Sequence, residues 1–302
     1  MHKPTLILIP FLPLILLGCG LLSDAASLPT PTEAFPVSTA TQPPKPTLYL
    51  GPPPTVEQAP TEVSTVPNQD IPRPTDTIPT ESTIEEAILI LEPGPGSRLL
   101  SPIHVAGLAD PTFEQHLLVR VVLDDGTELA AIPTTIQSDV GIRGPFAVDI
   151  PFTIVGERQA FIQVSTSSPR DGGTTHLASV IVTLADSGIQ EVIPVDPHPE
   201  RIIILAPGAG EEISGGVVQV SGYGLASFEQ TLVVDVIDGE GNVVGSQPLI
   251  VESPEMGQPG PFSVSVPNTI STPGPGRIVV RDPSVAIPGD VHLTSVDVDL
   301  NP

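Results

Sequence analysis

Two histidines are the side chains best suited to chemistry in this chain. His176 and His292 stand in matching contexts, His-Leu-Ala-Ser-Val and His-Leu-Thr-Ser-Val. An imidazole can act as a base near neutral pH or bind a transition metal. No carboxylate or second histidine accompanies either one at ligand spacing, so we expect both to be rim histidines bonded to the backbone.

Two acidic segments could supply oxygen ligands for calcium, residues 124–126 (Asp-Asp-Gly) and 238–242 (Asp-Gly-Glu-Gly-Asn). The EF-hand pattern fails in the second, because Val243 and Leu249 stand at loop positions six and twelve. Gly, Asp and Asn also tolerate the positive φ of hairpin turns. We therefore expect turns here, and predict no metal and no cofactor.

The elements of a catalytic site are missing from the sequence. There is no Gly-x-Ser-x-Gly motif, and the only thiol, Cys19, lies at the end of an apolar N-terminal run. The glycines at 94–96 and 208–210 do not form a phosphate-binding loop that opens a helix, and we interpret them as turns. We expect no catalytic residues. A hydrolase with an unrecognised site is kept as an alternative.

The N-terminus has the pattern of an export signal. A cationic start precedes the apolar run 6–17, which is too short for a transmembrane helix of about 20 residues. The run ends in Leu16-Leu17-Gly18-Cys19, which resembles the lipobox of bacterial lipoproteins. The resemblance implies that residues 1–18 are a signal peptide and that Cys19 is lipidated. We expect an extracytoplasmic protein anchored to a bacterial membrane through its lipid.

Residues 19–83 are rich in Pro and Thr, as in Pro-Pro-Lys-Pro-Thr at 43–47. Proline removes backbone donors and favours extended conformations, so this segment is predicted to be a disordered tether rather than a folded element. Threonine beside proline also permits O-glycosylation, and the sequence leaves open whether the tether is glycosylated or is a plain solvated linker.

Charge and composition limit the partners. The 302 residues carry a formal charge of −24, and the chain has no Trp and two Tyr. A strongly anionic surface repels nucleic acid, and few aromatic rings are available to stack on sugars. We therefore exclude nucleic acid, expect no carbohydrate ligand, and predict an envelope protein as the partner.

A long internal repeat organises the remainder of the chain. The segments that recur are Phe-Glu-Gln (113 and 228), Gly-Pro-Phe (144 and 260) and His-Leu-x-Ser-Val (176 and 292). The offset grows only from 114 at Pro93 and Pro207 to 116 at the histidines. A period this long indicates two whole domains, which we place at 84–185 and 200–302 with a short linker at 186–199.

Each copy is predicted to be an immunoglobulin-like β-sandwich, which makes the fold class all-β. Apolar residues alternate with polar ones, as strands with one buried face require, and about seven such runs are separated by Gly, Pro and Asp turns. Leu117, Val119 and Val121 share one face, and Arg120 lies between them, where the second copy has Asp235. That charge reversal predicts a solvent-facing position.

The order of these motifs resembles the immunoglobulin-like domain associated with bacterial spore germination proteins. The resemblance rests on the Pro-Gly turn, Ser-Pro-Ile-His-Val-Ala-Gly at 101–107, and the Phe-Glu, Asp-Gly and Gly-Pro-Phe segments that follow. It covers about 84–185 and again 200–302. It implies an accessory module facing the envelope, often in lipoproteins, without catalytic residues.

The repeated tripeptides are the candidate binding edge, and they comprise Phe113, Glu114, Gln115, Phe228, Glu229 and Gln230. A structural explanation competes, in which the Phe rings close the sandwich ends and Glu or Gln bonds loop amides. We expect a non-catalytic envelope protein with interaction or structural roles. The alternative is an accessory of germination or envelope remodelling that works beside a wall enzyme.

Replacement of the thiol tests the anchor. Mass spectrometry of the native N-terminus should find a lipidated Cys19, and Cys19→Ser should release the protein from the membrane fraction because no acyl chain can be attached. An unmodified mature terminus that starts at another residue would contradict the anchor.

Overall fold

A computed structural model describes residues 84–302 of the chain. The predicted signal peptide (1–18) and the predicted tether (19–83), which begins with Cys19, lie outside the described residues. From residue 84 onward the chain forms 16 strands and one 3₁₀ turn, which confirms the all-β prediction. No helix in this part of the chain is long and apolar enough to cross a membrane.

The first copy contains eight strands, one of them only two residues long: β1 (Ile88–Glu92), β2 (Arg98–Leu99), β3 (Ile103–Ala109), β4 (His116–Leu123), β5 (Glu128–Thr135), β6 (Gly144–Ile150), β7 (Glu157–Ser167) and β8 (Thr174–Ala185). The 3₁₀ turn Phe113–Gln115 leads into β4. The second copy repeats this order: β9 (Ile202–Ala206), β10 (Glu212–Ile213), β11 (Val217–Gly224), β12 (Thr231–Ile237), β13 (Val243–Ile250), β14 (Gly260–Pro267), β15 (Gly274–Pro283) and β16 (Asp290–Leu300).

Each copy packs a three-stranded sheet against a larger one. The small sheets have the orders β1-β3-β6 and β9-β11-β14, and all their pairings are antiparallel. Buried Val, Ile, Leu and Phe fill the space between the sheets in two separate cores, one for each copy. The alternation seen in the sequence holds in β4, where Leu117, Val119 and Val121 are buried and Arg120 is exposed.

The corresponding position in the second copy departs from the prediction. Asp235 is buried rather than solvent-facing, with 8% of its surface exposed. Its carboxylate accepts a hydrogen bond from Arg281 at 2.7 Å and another from the Ser246 hydroxyl at 2.5 Å. The charge reversal is therefore tolerated because a cation on the neighbouring strand neutralises Asp235.

The two large sheets are continuous with each other. Their strands run in the order β13-β12-β15-β16-β8-β7-β4-β5, which is the same sequence of equivalent strands read from either end. At the centre, β8 and β16 pair antiparallel, with Leu177 opposite Leu293 and His176 opposite Thr294. Leu177 and Leu293 are equivalent in the repeat, so the copies are related by a local two-fold axis through this pair.

A second contact between the copies follows the same axis. Glu85 pairs with Pro199 in an antiparallel bridge, and these residues are again equivalent, 114 apart. Around the bridge, the Glu86 N–H donates to His198 and the Glu200 N–H donates to Ile84. One two-fold relation therefore accounts for the pairings in both layers of the structure.

A third contact breaks the symmetry. Arg277 of β15 is 1% exposed and donates to the Asp171 carboxylate and the Gly173 oxygen in the turn between β7 and β8, and to the oxygen of Thr174, the first residue of β8. The equivalent residue of the first copy is Phe161, which is also fully buried. Burial opposes ionisation of Asp171, but the hydrogen bonds from Arg277 and the Gly173 backbone outweigh it and lower its pKa to about 2.

Substitution of this acid should weaken the chain in a pH-dependent way. Asp171→Asn should lower the free energy of unfolding by about 3 kcal/mol near neutral pH, because Arg277 then stays buried without its counterion. A carboxylate whose pKa falls from 3.8 to about 2 on folding stabilises the protein above about pH 3.8, and this contribution is lost as the pH falls through about 2. The difference between wild type and variant in urea denaturation should therefore close over that range.

Asp149→Asn is the matched control, because Asp149 is 70% exposed and pairs only with the exposed His104. It should leave unfolding nearly unchanged at every pH. A pH-independent difference for Asp171→Asn would contradict the assignment of the low pKa.

Candidate functional site

Four ionisable side chains meet where the two copies join. They are Glu86 and His176 from the first copy and Glu200 and His292 from the second. One polar atom from each of the four lies within 4.8 Å of the others. The side chains are 1%, 11%, 7% and 0% exposed in that order. We call this group the Glu-His quartet.

Local structure explains how each side chain reaches the axis. In β8, His176 belongs to the same alternating row as the buried Ala178, Val180 and Val182, so it points between the sheets. His292 is placed in the same way by β16. The glutamates come two residues before β1 and β9, in the segments that cross at the Glu85–Pro199 bridge. The large sheet thus supplies the histidines and the crossing segments supply the acids.

The glutamates exchange hydrogen bonds between the copies. Glu86 Oε2 accepts from the Arg201 N–H at 3.1 Å, and Glu200 Oε2 accepts from the Ala87 N–H at 2.8 Å. Ala87 and Arg201 are equivalent in the repeat. One oxygen of each carboxylate is therefore fixed by the backbone of the opposite copy.

The other oxygens face the imidazoles. His176 Nε2 lies 3.3 Å from Glu86 Oε1, and His292 Nε2 lies 2.8 Å from Glu200 Oε1. His292 Nδ1 is 3.5 Å from Glu86 Oε1 but is buried and has no hydrogen-bond partner. The two rings meet edge to face with centroids 5.0 Å apart. The quartet is thus one connected group rather than two separate pairs.

The pKa values of the two histidines shift in opposite directions. Burial lowers the pKa of His176, but the hydrogen bond to Glu86 and the charges of Glu200 and Glu86 outweigh it and raise the pKa above 6.5. Burial dominates at His292 and, with the charge of His176, lowers its pKa to about 3. Two adjacent buried cations would repel each other, so a positive charge on His176 opposes protonation of His292.

This arrangement corrects the sequence interpretation of the histidines. We expected rim positions bonded to backbone, on the ground that no carboxylate or second histidine accompanied them. The structure instead gives each a buried glutamate and the other histidine. The signal was present in the repeat, since the offset of 114 that relates Pro93 to Pro207 also relates Glu86 to Glu200.

The Phe-Glu-Gln segments have a different structural role from the one expected. Phe113 and Phe228 do not close the sandwich ends, because 58% and 44% of their surfaces are exposed. Gln115 is the buried member, and its side-chain amide donates to Ser138, Asp139 and Ile142 at 3.0 to 3.1 Å.

The backbone explains why the tripeptide is retained in both copies. Glu114 and Gln115 have φ values of 53° and 58°, and Glu229 and Gln230 have 47° and 57°. Two consecutive non-glycine residues in the left-handed region are strained, and the glutamine side chains hold the loops in that form. The glutamates remain exposed, so the tripeptides stay available as a binding edge.

The acidic turns are hairpins in which the carboxylates already have partners. Asp124 and Asp125 both pair with Arg158, and Asp238 accepts hydrogen bonds from the backbone of Glu240 and Asn242. These contacts stabilise the hairpin turns that the sequence analysis predicted at both segments.

A groove of about 670 Å³ lies beside the first tripeptide. It follows the large sheet of the first copy and is lined by β4, β5, β7 and the turn before β8, including His116, Arg120, Pro133, Ser165 and Thr174. His116 directly follows Gln115, so the candidate binding edge borders this groove.

A family model for the immunoglobulin-like domain of bacterial spore germination matches the chain twice, at residues 87–173 and 201–286. No curated protein matches the chain. Solved structures that align with it include a red sea bream transglutaminase, at 9% identity and a TM-score of 0.25, over 72% of this chain and 31% of that one. Another is a chimeric titin Z1Z2 tandem, at 10% identity and a TM-score of 0.21, over 70% of this chain and 97% of that one.

Two substitutions in the first tripeptide should distinguish the contribution of Gln115 to stability from that of Phe113. Gln115→Ala should destabilise the protein by about 1–3 kcal/mol, because the loop carbonyls of Asp139 and Ile142 lose a buried donor. Phe113→Ala should change unfolding by no more than about 0.5 kcal/mol, because the ring is largely exposed. Urea denaturation of both variants measures the difference. A larger loss for Phe113→Ala would restore the view that the ring closes the sandwich.

Proposed function

The chain belongs to the family of immunoglobulin-like domains of bacterial spore germination, and on that premise we propose that it is a non-catalytic, lipid-anchored protein that presents two joined domains to a protein partner at the cell envelope. The carrying observation is the two-fold pairing of the domains through one continuous sheet. Such pairing fixes the spacing of the two exposed tripeptides, which suits a display module better than a catalytic cleft.

Charge supports a basic partner. Each of the eight arginines of residues 84–302 lies within 4.0 Å of a carboxylate. The same residues include 28 Asp and Glu, so most carboxylates have no arginine of their own. An anionic surface of this kind speeds association with a cationic partner at low salt.

The groove supports contact at the first tripeptide. Glu114 is exposed and lies 3.7 Å from His116, which lines the groove. Arg120, which also lines it, pairs with Glu128 at 3.5 Å across β4 and β5. A protein segment that crosses Glu114 could continue along this face. The family also favours a second candidate function, an accessory of germination or wall remodelling that acts beside an enzyme.

Partner capture tests the proposal. Crosslinking on intact cells should recover a protein partner with the wild type, and Glu114→Ala combined with Glu229→Ala should reduce the yield several-fold without altering the unfolding curve. Higher salt should slow association, because steering between exposed charges is screened beyond a Debye length of about 8 Å.

Glu191→Ala is the matched control, since Glu191 is an exposed glutamate of the segment between the domains. It should leave capture unchanged. If the double variant loses stability and keeps full capture, the tripeptides are structural only and the partner binds elsewhere. Recovery of a wall enzyme or germination protein would favour the second candidate.

A further inference from the structure

We propose that the Glu-His quartet is a structural zinc site that ties the two domains together. The ligands are Glu86, His176, Glu200 and His292, with one carboxylate oxygen or ring nitrogen from each. This inference does not depend on the partner or on the membrane anchor. It differs from our expectation from sequence that the chain has no metal site.

The donor set favours zinc over calcium or magnesium. Two imidazoles and two carboxylates make an N₂O₂ set, and imidazole suits zinc and other transition metals, whereas calcium and magnesium prefer oxygen alone. Four protein ligands complete a tetrahedral shell and leave no open position for a reactive water. The chemistry is therefore that of a closed structural site.

The separations fit the coordination geometry. Bonds of about 2.0–2.1 Å in a tetrahedron place ligand atoms roughly 3.3 Å apart. Glu86 Oε1 lies 3.3 Å from His176 Nε2 and 3.5 Å from His292 Nδ1, and Glu200 Oε2 lies 3.8 Å from His176 Nε2. The other ring nitrogen, His292 Nε2, faces the second oxygen, Glu200 Oε1, at 2.8 Å. The four ligand atoms lie within 4.8 Å of one another, so the side chains would contract around the bound ion.

An unsatisfied atom points to a ligand. His292 is fully buried, and its Nδ1 is aimed at Glu86 Oε1 without making a hydrogen bond. A buried ring nitrogen without a partner is costly, and coordination of a metal would satisfy it. The backbone donors Ala87 and Arg201 already orient the two carboxylates, as outer-shell groups do in zinc sites.

The charge of the four ligands also favours a divalent cation. As metal ligands, two carboxylates and two neutral imidazoles would contribute a net charge of −2 in a buried position. A divalent cation cancels this charge, which would otherwise be expensive to bury. A cavity of about 90 Å³ adjoins the quartet and is lined by Glu86, His198, Arg201 and His292 among others. It supplies an entry path for the ion.

Metal analysis and thermal unfolding of the full chain provide the test. The protein should be stripped with a chelator, dialysed, and supplied with Zn²⁺ alone. We expect one zinc per chain by mass spectrometry of the metal, and a higher unfolding midpoint that returns to the stripped value after EDTA. Co²⁺ in place of zinc should give the intense visible absorption of a tetrahedral site. Mg²⁺ and Ca²⁺ should leave the midpoint unchanged.

Conservative variants locate the ion. Glu86→Gln and Glu200→Gln retain an oxygen for the backbone hydrogen bonds but lose the ligand charge, and each should weaken zinc binding by more than about tenfold. His104→Ala, which removes an exposed histidine outside the quartet, should bind zinc as the wild type does.

Several results would overturn the proposal. They are a wild-type chain that binds less than one zinc, a midpoint that zinc does not move, and zinc affinity that Glu86→Gln and Glu200→Gln leave intact. The quartet would then be a proton-sharing network held together by hydrogen bonds alone. None of these outcomes bears on partner capture, so the two proposals fail separately.

Discussion

Burial of two carboxylates on a local two-fold axis is the constraint around which the domains are joined. Each of Glu86 and Glu200 needs donors that water would otherwise provide, and each receives one from the backbone of the opposite copy. The imidazoles supply the remainder. Neither copy can complete this set alone, so the polar contacts require the two domains to meet in one orientation.

The hydrogen-bonded ladder between β8 and β16 and the crossing at Glu85 and Pro199 fix that orientation in two layers. The buried Arg277 adds a contact on one side only, with Asp171. Symmetric pairing therefore defines the arrangement, and an asymmetric ion pair reinforces it. Loss of either partner would leave the other charge buried and uncompensated, which is strongly destabilising.

Much of the fold was predictable because its signals are local. Alternation of apolar residues predicted the strands, and the repeat predicted two copies. The Glu-His quartet was only partly predictable from the sequence. The repeat offsets relate Glu86 to Glu200 and His176 to His292, but they do not show that the two copies face each other. That contact depends on which sheet edge is unpaired, which is a property of the assembled sheet.

The structure also differs from the sequence predictions at residues whose environment is set by neighbours from elsewhere in the chain. Asp235 looked solvent-facing because Arg120 holds the equivalent place, yet Arg281 neutralises it in the protein's interior. Phe113 looked like a core residue because it is aromatic and repeated. The feature that the two copies share is instead the left-handed backbone of the next two residues. A pattern of hydrophobic residues cannot predict such a backbone conformation.

The equivalence of the paired residues has a consequence for single-domain relatives. A lone copy would leave the edge of its last strand bare, with one glutamate and one histidine beside it. Because the contacts on the axis either join equivalent residues or occur as equivalent pairs of contacts, that edge is self-complementary, as in an isologous dimer. A one-domain protein with the same residues could build the quartet by dimerising. Fusion of two copies makes that assembly independent of concentration.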